Sequence, residues 1–313
     1  MKKTLVKISM LCLCAGLIFT ACKKKTDETP AADTTQQTNG GDDTRAQNES
    51  DAAASDAETA MTTSNSTMRS ESTIINNSTI GANIDTSSAN ASVKTLVITY
   101  DGISHIGGRV RTGSISVALT TGSHWKAAGS VITLTFNNYK ATRLSDGKSI
   151  TLNGTKTITN VSGGLITTMI VGDSLVRTVA STNMSFTFDD GTQRTWNISR
   201  TRAITKQSST GYTLYIMGTG SAGGYNNVAA WGTTRLGLPF YSIINQAIVW
   251  NTAKCLYAPI SGSRTIQGIT RALTITYGVD EQGNAVTSAT CPYGVRLNWT
   301  KADQTAQTAV LVY

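Results

Sequence analysis

Five cysteines and two histidines are the strongest chemical constraints on this 313-residue chain. His105 and His124 lie far from any cysteine in the sequence, so neither zinc nor imidazole catalysis finds a ready ligand set. Gly102, Gly107 and Gly108 surround the first, and Gly122 and Trp125 the second, which reads as surface loop. Serine is abundant, yet no Gly-x-Ser-x-Gly elbow precedes a helical stretch; Gly220-Ser221 sits in a loop-like run. Residues 93–313 hold eight acids, mostly at turns. Adjacent pairs such as Asp189-Asp190 and Asp280-Glu281 point opposite ways in a strand. A glycosidase instead needs carboxylates converging about 5–9 Å apart. No D-x-D-x-D-G loop offers calcium its oxygens. The residues therefore point to no catalytic group, no metal and no cofactor. The aromatics are more suggestive. Trp125, Trp231 and Trp250, with Tyr225, fall near loops or strand ends, where flat apolar faces with polar edges suit sugar rings or protein partners. Core packing is the alternative, and it is the better reading for Trp196 and Trp299 on apolar strand faces.

The cysteines divide by position. Met1-Lys2-Lys3 is a short basic start, and Ile8 to Phe19 is an apolar run too short to span a bilayer, which takes about 20 residues. Cys12 and Cys14 lie inside that run. It ends Phe19-Thr20-Ala21-Cys22, which resembles the bacterial lipobox, with Phe19 where leucine is usual. The resemblance implies a signal peptide over 1–21, cut before Cys22, whose thiol carries diacylglycerol. An ordinary secretory signal cut after Ala21 is the alternative. Cys255 and Cys291 are then the remaining thiols of an exported, oxidised body, and a disulfide between them is expected. Closing a loop of that length is worth about 4 kcal/mol in the chain-entropy model. Two buried free thiols are the competing reading.

The net charge of +8 is a sum of unlike parts. Residues 1–25 carry six lysines, residues 26–92 eleven acids against two arginines, and residues 93–313 nineteen bases against eight acids. Residues 22–92 read as an acidic Thr/Ser/Ala/Asn-rich tether; after Cys22 they contain no Trp, Tyr, Phe or Leu. Such a segment cannot offset about 1–2 kcal/mol per residue of ordering entropy, so it is expected to be disordered, with a mean reach of order 45 Å. Ala52-Ala53-Ala54 and Ala57 hint only at a nascent helix. Attraction between tether and basic body is expected to be weak and salt-dependent.

From Val93 onward the apolar period is two. Leu96/Ile98/Tyr100, Ile115/Val117/Leu119, Ile132/Leu134/Phe136, Leu273/Ile275/Tyr277 and Val295/Leu297/Trp299 alternate largely with Thr, Ser and Asn. One-sided burial argues for antiparallel pairing. One hairpin is fixed by parity: a three-residue loop Asp189-Asp190-Gly191 sets Phe186 against Arg194 and Met184 against Trp196, with Gly191 in the left-handed region. Tyr241–Val249 is the one ambiguous helical candidate, with Ile244 and Ile248 four apart. The expectation is an all-β body over 93–313, an antiparallel β-sandwich or two consecutive β subdomains, with a seam near 218–226 where the alternation fails.

Ser130–Tyr139 (SVITLTFNNY), Asn153–Asn160 (NGTKTITN) and Thr195–Arg202 (TWNISRTR) are similar to segments of a recurrent lipoprotein family of the Bacteroidota. In that family a lipobox and polar linker precede a Thr-rich β domain with a late cysteine pair. The resemblance implies an envelope address, most simply the outer membrane, and no particular activity. The expected partners are the membrane, through the lipid, and a glycan or envelope protein. No nucleic-acid motif accompanies the basic surplus. The terminal Val310–Tyr313 run faintly suggests a membrane barrel, against which the acylated tether argues.

Overall fold

The structure is a computed structural model that describes residues 31–67, 74–77, 81–87, 94–104, 108–209, 211–256, 258–286 and 291–313. Cys22 and His105 lie outside the described residues.

The antiparallel body is present as a single 16-stranded sheet. Its strands are β1 (Ile74–Asn77), β2 (Ala82–Asp85), β3 (Thr95–Tyr100), β4 (Arg109–Thr121), β5 (Ser130–Arg143), β6 (Ser149–Asn160), β7 (Ser174–Phe188) and β8 (Gln193–Ser208). There follow β9 (Gly211–Gly218), β10 (Gly220–Ala222), β11 (Tyr225–Thr233), β12 (Pro239–Asn251), β13 (Ser261–Gln267), β14 (Leu273–Val279), β15 (Gly294–Thr300) and β16 (Ala306–Val312). Sequential neighbours pair almost throughout. The departure is one lane between β8 and β12. Trp196–Ile198 of β8 pair with β11, while Arg200–Ser208 pair with β9; β12 divides the same way. Thus β9 and β11 lie end to end. The 218–226 stretch, expected as a subdomain seam, is where the chain turns back within that lane, with β10 folded against β11. The ambiguous Tyr241–Val249 segment is part of β12.

The parity argument holds at the β7–β8 hairpin. Met184 faces Trp196, Phe186 faces Arg194, and the Gly191 amide donates to the Phe188 carbonyl at φ +79°. Curvature has a local cause. Register shifts in β4, β5, β6 and β7 fall at neighbouring positions, with Asn138 and Asn183 in the left-handed region. Each asparagine's backbone N–H is satisfied by the next strand's side chain, Asn153 for Asn138 and Asn197 for Asn183, both at 2.8 Å. A Cβ on Gly113 would stand 2.1 Å from the Asn138 carbonyl oxygen, so the kink there demands glycine. A row of bulges across adjacent strands bends a sheet about one line.

What the sheet bends around corrects the tether expectation. Ala31–Thr67 is one 37-residue α-helix, α1, about 55 Å long at 1.5 Å per residue. It contacts β3, β5 and β6 on one side and β14 and β15 on the other, so the sheet curls about it. Ile74–Asn77 and Ala82–Asp85, also assigned to the tether, extend the sheet as β1 and β2. Small residues explain how a segment without large apolar side chains is ordered. Asp43, Ala46, Ser50, Ala53, Ala57 and Ala60 are fully buried and recur every three or four positions, one stripe of a helix. The shell supplies the large side chains: Ile132, Leu134, Phe186, Leu273 and Leu297 are buried in the same core. At Gly40 a Cβ would stand 2.9 Å from Leu297, so the helix backbone lies directly on that leucine.

Candidate functional site

Six acids of the helix, Asp42, Asp43, Glu49, Asp51, Asp56 and Glu58, reach into this trough, and each meets a guanidinium. Asp42 pairs with Arg235 at 2.6 Å, Glu49 with Arg109 at 2.5 Å, Asp51 with Arg200 at 3.2 Å and Asp56 with Arg111 at 2.6 Å. Asp43 lies between Arg194 (3.5 Å) and Arg264 (2.7 Å), and Glu58 between Arg177 (3.5 Å) and Arg202 (3.0 Å). Inward positions of a strand recur every second residue, which is why Arg194, Arg200 and Arg202 of β8 all face the helix. Tether and body do attract, as their charges imply, but through buried pairs that salt screens little. Burial lowers the pKa of Arg194 and Arg200, and the Asp43 and Asp51 carboxylates oppose it. Lys156, fully enclosed, donates to the carbonyl and hydroxyl oxygens of Ser50. Burial pulls its pKa down to about 7, with Asp51 opposing.

Along the last turns of α1 the trough opens into a cavity of about 460 Å³. The helix lines it with Asn48, Ala52, Ser55, Thr59 and Thr62 beside the acids Asp51, Asp56 and Glu58. Arg109, Arg111 and Arg202 face them, and Trp125, Tyr212 and Trp250 form aromatic walls. Asp56 accepts from the Tyr100 hydroxyl at 2.7 Å; burial raises its pKa, opposed by Arg111 and Tyr100. Ser55, Thr59 and Thr62 donate their hydroxyl protons to carbonyls four residues back. The Trp250 indole N–H is buried without a hydrogen-bond partner. Ile166 and Leu256 form an apolar rim, with Leu256 68% exposed.

Of the four aromatics singled out from sequence, Trp125 and Trp250 meet here. Trp125 is almost wholly buried, its ring 5.1 Å from the Arg177 guanidinium. Trp231 and Tyr225 sit elsewhere. Trp231 pairs with Tyr241 across β11–β12 and follows the inward-facing Ala230, so it lies on the outer face. Tyr225 stacks on the same Tyr241 at 5.6 Å. These rings cover Gly220, Gly223 and Gly268, a packing role. Trp196 and Trp299 are core residues, as expected. His124 is in an exposed loop, hydrogen-bonded to Ser123. Cys255 and Cys291 stand at disulfide distance, with Cα atoms 4.8 Å apart, tying the loop after β12 to the segment before β15. No group of three or more His, Cys, Asp or Glu suited to a metal occurs among the described residues.

The cavity's carboxylates escaped the sequence reading because they lie in the segment taken as linker. The usable signal was there: small residues at helical spacing, interleaved with acids, ahead of a basic body. No helix among the described residues is long and apolar enough to cross a membrane. Comparison with family models, curated proteins and solved structures finds no match to this chain.

Proposed function

We propose that this is a lipid-anchored cell-envelope protein that binds a ligand, held at the outer membrane through acylated Cys22, with a neutral glycan as the ligand class. The observation that carries the binding reading is the convergence of Trp125, Trp250 and Tyr212 on one cavity. A volume of about 460 Å³ falls within the range typical of small-molecule sites. Each of its carboxylates already has a guanidinium, Asp56 that of Arg111, Asp51 that of Arg200 and Glu58 that of Arg202, so a charged guest would disturb an existing pair. Flat aromatic walls with hydroxyl and carboxylate acceptors suit the faces and edges of a sugar ring. Asp56 and Glu58 are each ion-paired, with Arg111 and Arg202, which leaves their remaining oxygens as the polar edge of the site.

The lipobox resemblance supports the anchor. Nine peptide units separate Cys22 from Ala31, at most about 30 Å when extended. The body would thus stand close to the membrane, with the cavity about 36 Å along α1 from Ala31. The outward face of β5, β6 and β8 carries Thr and Asn at positions such as Thr133, Thr135, Thr155, Thr157 and Asn197, where a membrane barrel would carry an apolar band. Two measurements test the reading. Mass spectrometry of the mature N-terminus should find a diacylglyceryl thioether on Cys22, and an unmodified residue there overturns the anchor. Neutral oligosaccharides should quench tryptophan fluorescence in the wild type and at least tenfold more weakly in Trp250→Ala; a glycan panel without any response overturns the glycan reading.

A further inference from the structure

The shell leaves one flank of α1 open, and that flank is a single line of residues. From Gly41 to Thr62 every position is buried except Gly41, Arg45, Asn48, Ala52, Ser55, Thr59 and Thr62. These recur every three or four residues, so they share one face of the helix. Asn48, Ala52, Ser55 and Thr59 each stand two positions beyond a member of the buried stripe Ala46, Ser50, Ala53 and Ala57, which places them on its far side.

Every residue of that line borders a cavity. Asn48, Ala52, Ser55, Thr59 and Thr62 line the aromatic one described above. Gly41, Arg45 and again Asn48 line a second, of about 350 Å³. Its walls include Arg143 and Lys148 about the β5–β6 turn and Leu311 and Tyr313 at the end of β16, strands far apart in the sheet order. The two cavities meet at Asn48, along the flank that the curled sheet leaves uncovered. From Gly41 to Thr62 this groove runs about 32 Å at 1.5 Å per residue. Its floor residues are small or hydrogen-bonding and come about one per turn. Equivalent positions thus repeat at about the 5.4 Å helical pitch, a spacing of the order of one sugar unit in an extended chain. The Arg45 guanidinium and the Asn48 amide make no hydrogen bond or ion pair among the described residues, so both are open to a ligand.

We propose that the ligand is a linear, unbranched glycan several sugars long. One end sits against Trp125 and Trp250, and the chain continues along α1 over Asn48 and Arg45 toward Gly41. This rests on the glycan reading of the aromatic cavity and adds to it a length, a direction and a second set of contacts.

The test is calorimetric titration of the full chain with β-1,4-glucan, α-1,4-glucan and β-1,4-mannan ladders, each from disaccharide to octasaccharide. In a series that binds, affinity should climb with chain length, about fivefold for each unit that gains one net hydrogen bond, and flatten near the hexasaccharide. Arg45→Ala, which breaks no ion pair, should weaken the hexasaccharide about fivefold, whereas Trp250→Ala should weaken every length. A ladder bound with equal affinity from disaccharide to octasaccharide overturns the groove and leaves the glycan reading in place. So does an Arg45→Ala protein that holds the hexasaccharide as tightly as the wild type. Three ladders without any response overturn both.

Discussion

Asp43→Asn is the sharpest perturbation of the helix–shell contact. Asp43 is fully buried in α1 and touches two guanidiniums, Arg194 at 3.5 Å and Arg264 at 2.7 Å. The amide keeps the shape and removes the charge, so two enclosed cations lose their shared partner. Breaking a buried pair from one side costs about 3–5 kcal/mol, mostly from the charge left behind. For a body of this size that is a fall of roughly 10 °C in the thermal midpoint. Asp190→Asn is the matched control. Asp190 also pairs with an arginine, Arg235 at 2.8 Å, but is 51% exposed, and such pairs contribute about 0–1 kcal/mol. Urea unfolding followed by tryptophan fluorescence should show a large drop in midpoint at unchanged slope for the first variant and almost none for the second. Equal, small shifts would refute the reasoning, because Asp43 would then be solvated and α1 would not occupy the trough.

Three further outcomes follow from other contacts. Lys156 has its folded pKa lowered to about 7 from an ordinary 10.5, so between about pH 7 and 10 the unfolded chain binds the extra proton and stability should rise with pH; Lys156→Met should flatten that rise in pH-dependent urea titrations. Ala57→Leu, at a fully buried position of the small-residue stripe, should destabilise by about 1–3 kcal/mol through overpacking, whereas Ser55→Leu on the exposed side should cost little. Reducing Cys255–Cys291, or replacing both by serine, should lower stability by a few kcal/mol, and free-thiol labelling of both in the oxidised folded protein would contradict the pairing.

The shell was readable from sequence because strand periodicity is a local property. Leu96/Ile98/Tyr100 and Leu273/Ile275/Tyr277 announce one buried face without reference to anything distant, and both sets are buried. The Asp189–Gly191 hairpin was decidable by parity alone. The helix was not, because its stability is not its own. Its long polar sequence has no large apolar stripe to bury, and the arginines that hold it lie from about 60 to more than 200 residues downstream. Composition marks such a segment as a linker, since composition counts what a segment can bury and not what can be buried around it. The cavity was half legible for the same reason. Trp125 and Trp250 were visible as loop-end aromatics, whereas Asp56 and Glu58 were hidden in the supposed tether.

Hydrogen exchange across residues 31–67 tests the central claim most directly. A helix enclosed by β3 to β15 opens only with the shell, so amides from Gln36 to Met61 should exchange as slowly as those of β7 and β8. Exchange of that stretch within seconds, beside protected strands, would return it to a disordered tether and dissolve both the ion-paired trough and the cavity that α1 completes.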